Sequence, residues 1–251
     1  MGKYYRPFHF GGKLGMHKTL SKNKLLKKYV PETKNFTYRN VKEMMKKYRI
    51  VYVKPQKSSK GRGIYRIRRV KTKYECRSNK SKKVFKKLAS VYNYITKHSK
   101  KKKRIIQQAI TLDRVKGRPY DIRALVQRKV KGKWKCTGIS SRIGKKNSIV
   151  TNLNRGGSIC LMPDLFKQKG LSVSAQKQRM QEMKDTALHT ARFLSEKNEN
   201  IHVLGIDYGY DKAGKLWILE VNSRPQFSML KKVDPAMYKR MKRLAKSYKA
   251  A

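Results

Sequence analysis

The stretch "IHVLGIDYGYDKAGKLWILEVNSRP", residues 201–225, holds two apolar runs separated by a turn-forming cluster at 211–215. Runs of this composition around such a cluster predict a β-hairpin. Along a strand successive side chains alternate between faces, so Glu220 and Asn222 point the same way while Leu219 and Val221 point to the core. The hairpin brings Asp207 back opposite Glu220. The chain carries 66 Lys and Arg against 14 Asp and Glu, so acids gathered on one face ask for a chemical reason. Three hard oxygen donors, two of them charged, suit Mg²⁺, which binds through one or two carboxylates and completes its shell with phosphates and water. Pairing with the abundant Arg and Lys is the other reading of Asp207, Glu220 and Asn222.

A chain of 251 residues can bury a sizeable core, as one two-lobed domain or two small ones. A hydrophobic share of 38%, with 15 Tyr and 7 Phe, predicts a folded protein rather than a basic disordered tail. No apolar run approaches the ~20 residues of a membrane span, and the amino terminus lacks the apolar core of a secretory signal. Cys76, Cys136 and Cys160 have no metal-ligand spacing and fit reduced thiols. The five histidines show no such spacing either. The formal charge of +52 repels itself unless an anionic partner offsets it. It favours a polyanionic neighbour or substrate without saying which.

Working back from the hairpin, helical spacing is expected over 17–29, 39–48, 80–100 and 176–197, with Pro31 as a stop signal after the first. "IVYVKP" (50–55) and the alternating run from Gly63 predict a second hairpin, "RIIQQAI" (104–110) a short buried strand, and 120–144 two strands around Lys131-Gly132. The order predicts an α+β protein of two lobes, each a mainly antiparallel sheet packed with helices. The expected boundaries are a short basic helical segment at 1–50, a first lobe at 51–110, a second at 111–225 and a basic helical tail at 226–251.

"YVKPQKSSKGRGI" places Lys54 at a strand end before a Gly/Ser/Lys loop, and loop N–H groups with a lysine can cradle phosphates. This is not the P-loop pattern, because the lysine precedes the glycines. Strand–Lys–Gly loop–strand, helix, a strand ending "QQ", then Asp…Glu-x-Asn form an ordered set that resembles the ATP-grasp superfamily. The spacing Asp207–Glu220–Asn222 is similar to that of its D-alanine ligase branch. "DIR" (121–123), Arg142 and "TNLNRGG" (151–157) resemble the branch that adds glutamate to a ribosomal protein. "PET" (31–33), "VYVKP", "GRGIYRI", "GRPYDIRALVQ", "TGISSRIG", "IVTNLNRGG", "LGIDYG" and "LWILEVNSRP" resemble the endospore coat-associated YheC/YheD-like ATP-grasp proteins, a likeness covering residues 18–225.

The resemblance implies the following roles. Lys54 and Lys18 contact ATP phosphates, and the loop carrying Lys57, Ser58, Gly61 and Gly63 closes over them. Gln107, Gln108 and Ile110 form the adenine-reading hinge. Asp207, Glu220 and Asn222 hold one or two Mg²⁺ ions. Arg123, Arg142 and Arg155 face the transferred phosphoryl group or the substrate anion, and Asn152 and Arg155 belong to the ATP-binding set. The D-alanine ligase branch has an arginine where this chain has Gly205, which leaves Arg142 as the candidate for stabilising an oxyanion. The implied activity is ATP-dependent carboxylate–amine ligation through an acyl phosphate. Only about fifty residues precede "VYVKP", which together with the charge suggests an acidic peptide or other polymeric acceptor. Two rivals stand beside it: a non-catalytic binder of nucleic acid or another polyanion, including a coat-structural protein with coat-protein partners, and an ATP-grasp kinase. The implied location is the cytoplasm of a sporulating cell or the spore coat.

Overall fold

A computed structural model describes residues 11–56, 63–79, 81–99, 103–145 and 157–249. The chain divides into two compact units. One takes in Val30–Ile110 and the segment through Lys22; the other takes in Asn23–Tyr29 and the chain from Thr111 onward.

The first unit contains α1 (Gly12–Ser21), β1 (Thr33–Asn35), α2 (Tyr38–Lys47), β2 (Ile50–Pro55), β3 (Tyr65–Val70), β4 (Lys73–Arg77), β5 (Lys82–Phe85), α3 (Leu88–Lys97) and β6 (Arg104–Gln108). Its six strands form one antiparallel sheet in the order β1-β6-β2-β3-β4-β5. Helices α2 and α3 set Val41, Met44, Met45, Val91 and Ile95 against Val51, Val53, Ile67 and Ile106, all buried. Each such side chain contributes roughly 1.5–3 kcal/mol of hydrophobic stabilisation.

Two expectations are corrected here. The helix predicted over 17–29 is instead α1, ending at Ser21, followed by a 3₁₀ turn at Lys27–Tyr29. Asn23 breaks it, because its Oδ1 accepts from the N–H groups of Leu25 and Leu26, a local bond that competes with helix. The helix predicted over 80–100 starts only at Leu88. Val84 lies in β5 and is exposed, since Lys82–Phe85 completes the sheet against β4. Strand β4 escaped notice because a carboxylate stands between its core-facing Tyr74 and Cys76, on the opposite face of the sheet. Glu75 is buried and held by Arg66 (2.8 Å), Arg68 (3.1 Å) and Lys82 (3.4 Å).

The second unit contains β7 (Arg114–Val115), β8 (Arg118–Gln127), β9 (Lys135–Ile143), β10 (Ser158–Leu161), α4 (Met162–Gln168), α5 (Val173–Lys197), β11 (Val203–Tyr210), β12 (Leu216–Asn222), α6 (Leu230–Val233) and α7 (Pro235–Lys249). Its strands run β10-β9-β8-β11-β12, all antiparallel, with β7 paired to β8. One face of this sheet is apolar. Ile122, Ala124, Ile206 and Tyr208 are buried there with Met183, Ala187 and Leu194 of α5, and the Tyr208 hydroxyl donates to the Met183 carbonyl. Ser172 caps α5 by accepting from the Ala175 N–H.

The opposite face carries the charged residues, and α6 and α7 cover part of it. Leu230, Met241 and Ala245 are buried against Leu125 and Val203. Contact is close at Gly138, where a Cβ would stand 2.3 Å from Met241 Cε and 2.5 Å from Met237 Sδ. Residues 226–249, a tail by sequence, therefore contribute to this unit's core. Asp234 caps α7 through the Met237 N–H, just before Pro235 at the first helical position.

Candidate functional site

Strand pairing in the second unit assembles a row of side chains across five strands. Leu161 of β10 pairs with Ser140 of β9, Ser140 with Arg123 of β8, Arg123 with Asp207 of β11, and Asp207 with Glu220 of β12. One row along lie Ile159, Arg142 and Asp121; one row back lie Gly138, Leu125, Gly205 and Asn222. Directly paired residues share a face, so Asp207, Glu220 and Asn222 stand on one face.

Asp207 is buried at the centre. Arg123 grips it with two bonds, Nε to Oδ1 and Nη2 to Oδ2 (2.7 Å), and Arg142 Nη2 adds a third to Oδ2 at 3.2 Å. Arg142 Nε also donates to Asp121 Oδ1 at 2.6 Å. Burial alone would raise the Asp207 pKa, but the charges and hydrogen bonds of Arg123 and Arg142 outweigh it and hold the group below its ordinary value. Burial likewise opposes the charge on Arg142, and Asp207 with Asp121 reverse that, so its pKa is raised. Both shifts favour the charged forms, so Asp207 and Arg142 face each other as an ion pair. The ion pairs weighed as the plain explanation of Asp207 are thus present, and they take up three of the roughly four lone-pair positions of its carboxylate.

These residues still fit a hard divalent cation. Glu220 and Asn222 are half-buried oxygen donors beside Asp207, and Mg²⁺ asks for one or two carboxylates with its remaining positions taken by water and phosphate. Among the described residues no group of three His, Cys, Asp or Glu side chains stands together as a metal site, so the amide of Asn222 is a necessary part of this set.

In the first unit Lys54, near the end of β2, donates from Nζ to Gln107 Oε1 at 2.7 Å. Lysine can only donate, which fixes the amide orientation. Gln107 Nε2 then donates to Thr33 Oγ1 and to His17 Nε2, both at 2.9 Å. His17 is buried, and burial followed by the charges of Lys54 and Lys13 lowers its pKa from 6.5 to about 3. The ring is therefore neutral, with its proton on Nδ1, a buried atom with no partner among the described residues. Gln107 and Gln108 were expected to read adenine. Gln107 is buried with both ends of its amide engaged, and Gln108 Oε1 accepts from the Glu32 N–H at 3.2 Å. Lys18 is exposed on α1 beside His17, and Ile110 is half-buried at the end of the unit. Gly63 adopts φ +68°, and Arg104 Nη1 donates to its carbonyl at 2.6 Å. Lys57, Ser58, Gly61, Asn152 and Arg155 lie outside the described residues.

Three participants were missed in the sequence. Asp121 was legible, because it stands two residues before Arg123 and so on the same face. His17 and Ser140 give no local signal, since only long-range pairing brings them in. No helix among the described residues is long and apolar enough to cross a membrane.

The chain has relatives of known name and fold. The endospore coat-associated protein YheD of Bacillus subtilis (strain 168) is 29% identical over 223 residues, covering 86% of this chain and 48% of that protein. YheC of the same strain is 23% identical over 221 residues, covering 86% and 60%. This chain thus spans about half to three fifths of the relatives it matches. Among solved structures, the VanG D-Ala:D-Ser ligase of Enterococcus faecalis superposes with a TM-score of 0.55 at 16% identity, over 95% of this chain and 61% of that one. N5-carboxyaminoimidazole ribonucleotide synthetase of Thermotoga maritima gives 0.52 at 13% identity, over 95% and 48%. These likenesses bear out the expected α+β architecture of two antiparallel sheets packed with helices. The family model for YheC/D-like ATP-grasp proteins matches residues 3–250, and the chain belongs to that family.

Proposed function

We propose that this protein is an ATP-dependent carboxylate–amine ligase. The observation that carries the reading is the row Arg123–Asp207–Glu220 with Asn222 beside it, a preorganised set of hard oxygens and guanidinium groups on one sheet face. A carboxylate oxygen of the donor attacks the γ-phosphorus of ATP, forming an acyl phosphate and releasing ADP. An amine then attacks the acyl carbon, the C–O bond to phosphate breaks, and phosphate leaves as the amine's proton passes to solvent.

Bound Mg²⁺ would draw charge off the phosphate oxygens. Glu220 and Asn222 would hold it, and Asp207 would complete the set while remaining anchored by Arg123. Arg142, fixed between Asp121 and Asp207, offers its remaining N–H groups to charge developing on the donor. Lys54, held by Gln107, meets the phosphates as a fixed point charge. With the Gln107 amide engaged at both ends and Gln108 Oε1 held by the Glu32 N–H, adenine is read by backbone groups near Ile110. The site of action is the spore coat or the sporulating cell, following the coat association in the relatives' names.

Calorimetric titration of Mg·ATP into polyanion-free protein, beside the Glu220→Ala, Asn222→Ala double variant, tests the reading. One-site binding lost in the variant supports it; weak multi-site binding identical in both sinks it. The charge of +52 favours a second reading, a polyanion-binding coat component. That reading predicts binding to nucleic acid that weakens steeply with salt and ignores ATP.

A further inference from the structure

A cleft in the second unit opens at the end of the charged row, where Arg123, Arg142 and Ser140 form one wall. Each guanidinium uses Nε and Nη2 on carboxylates, and neither Nη1 has a partner among the described residues. The Ser140 hydroxyl has none there either. Leu125, Ile159, Phe227 and Met241 make the other walls, and about 50 Å³ of free volume lies between. That is several times the roughly 10–15 Å³ one water needs. α6 and α7 supply much of the apolar side, so the cleft exists because residues 226–241 fold back onto the sheet.

The chemistry at the two ends differs. The two Nη1 groups and a hydroxyl suit one carboxylate, bound by charge-assisted hydrogen bonds. Among the described residues the remainder offers no cation and one polar side chain, the neutral amide of Gln226, which would repay only part of the water a second carboxylate loses there. An apolar body of a few carbons would instead bury its surface on Leu125, Ile159 and Met241.

We propose that this cleft binds the carboxylate to be activated, and that this substrate is a monocarboxylate with a compact aliphatic body rather than an acidic peptide or polyacid. The assignment of the bound acid as substrate rests on the ligase reading above; the binding preference does not. The protein's overall basicity then belongs to surfaces other than this cleft.

Saturation-transfer NMR without nucleotide tests the preference, with 4-methylpentanoate, glutarate and 4-methylpentan-1-ol as probes. The expected result is that 4-methylpentanoate binds at least tenfold more tightly than either of the others. Met229→Glu puts a negative charge at the exposed mouth of the cleft and should weaken that binding at least tenfold with the melting temperature held. Glutarate binding equally well, or a folded Met229→Glu protein with unchanged affinity, overturns the proposal. Mg·ATP titration of the unaltered protein is read separately. If the acid binds as expected and ATP does not, the ligase reading falls and the cleft stands. If ATP binds through Glu220 and Asn222 but the acids are not distinguished, the cleft proposal falls alone.

Discussion

Arg123 reaches Asp207 by passing over Gly205, the residue two places before its partner on β11. A Cβ at Gly205 would lie 3.2 Å from Arg123 Cδ and 2.6 Å from Pro225 Cβ. The bare backbone at 205 is the clearance that lets an arginine from the neighbouring strand grip the carboxylate from the side.

Gly205→Ala should therefore push both Pro225 and Arg123 aside. Overpacking of this kind costs roughly 1–3 kcal/mol, measurable as a lower urea midpoint. Arg123→Ala should cost more, about 3–5 kcal/mol, because it leaves the buried Asp207 with only Arg142. Arg123→Lys should recover little of that, since an ammonium cannot reproduce the two-point grip. If Arg123→Ala and Arg123→Lys unfold alike and both near wild type, the pair is not structural.

His17 predicts an acid-sensitive first unit. Its folded pKa, about 3, lies below the ordinary 6.5, so the unfolded chain takes up a proton that the folded state refuses. Stability from this group is full above pH 6.5 and falls between 6.5 and 3, by about 1.4 kcal/mol per pH unit for one proton. His17→Gln should flatten that slope in denaturation followed from pH 7 to pH 4. An unchanged slope would mean the imidazole is protonated in place.

Met241 anchors α7. It is buried beside Leu125 and Val203, and truncating a buried methionine to alanine costs about 2–5 kcal/mol. Met241→Ala should destabilise the second unit by that amount in urea denaturation. Lys242→Ala, at the exposed neighbouring position, should change stability by less than about 0.5 kcal/mol.

Gln107 positions Lys54, and its effect should appear in nucleotide binding. Gln107→Leu removes the Oε1 that accepts from Lys54 Nζ and should weaken Mg·ATP binding roughly tenfold, the order of one charge-assisted hydrogen bond. Gln107→Glu keeps an acceptor and should bind nearer to wild type. Equal losses in both variants would point to a fold effect only.

Much of the second unit was legible because its strands obey simple alternation. The period-two pattern of 203–222 placed Asp207 opposite Glu220, and the register shows that pairing. The limits were equally physical. Strand β4 hides behind Glu75, a carboxylate buried on the face opposite Cys76 and acceptable there only because Arg66, Arg68 and Lys82 surround it. Val84 shares helical spacing with Leu88 and Val91, yet hydrogen bonding to β4 decides its conformation. The inward turn of Gln107 depends on His17, ninety residues away in sequence, and no local pattern carries that. The contribution of 226–249 to the core was masked by its lysines and arginines, which project outward while Met241 and Ala245 point in.

The row Leu161–Ser140–Arg123–Asp207–Glu220 draws one residue from each of five strands. A slip of one residue in any of them would turn that strand's contribution to the opposite face, into contact with α5. A misaligned sheet would bury a guanidinium or carboxylate among Met183, Ala187 and Leu194 and leave isoleucines facing water. Errors of alignment are thus penalised most heavily at the residues on which the chemistry depends, and a molecule that can act has, by that fact, passed an inspection of its own folding.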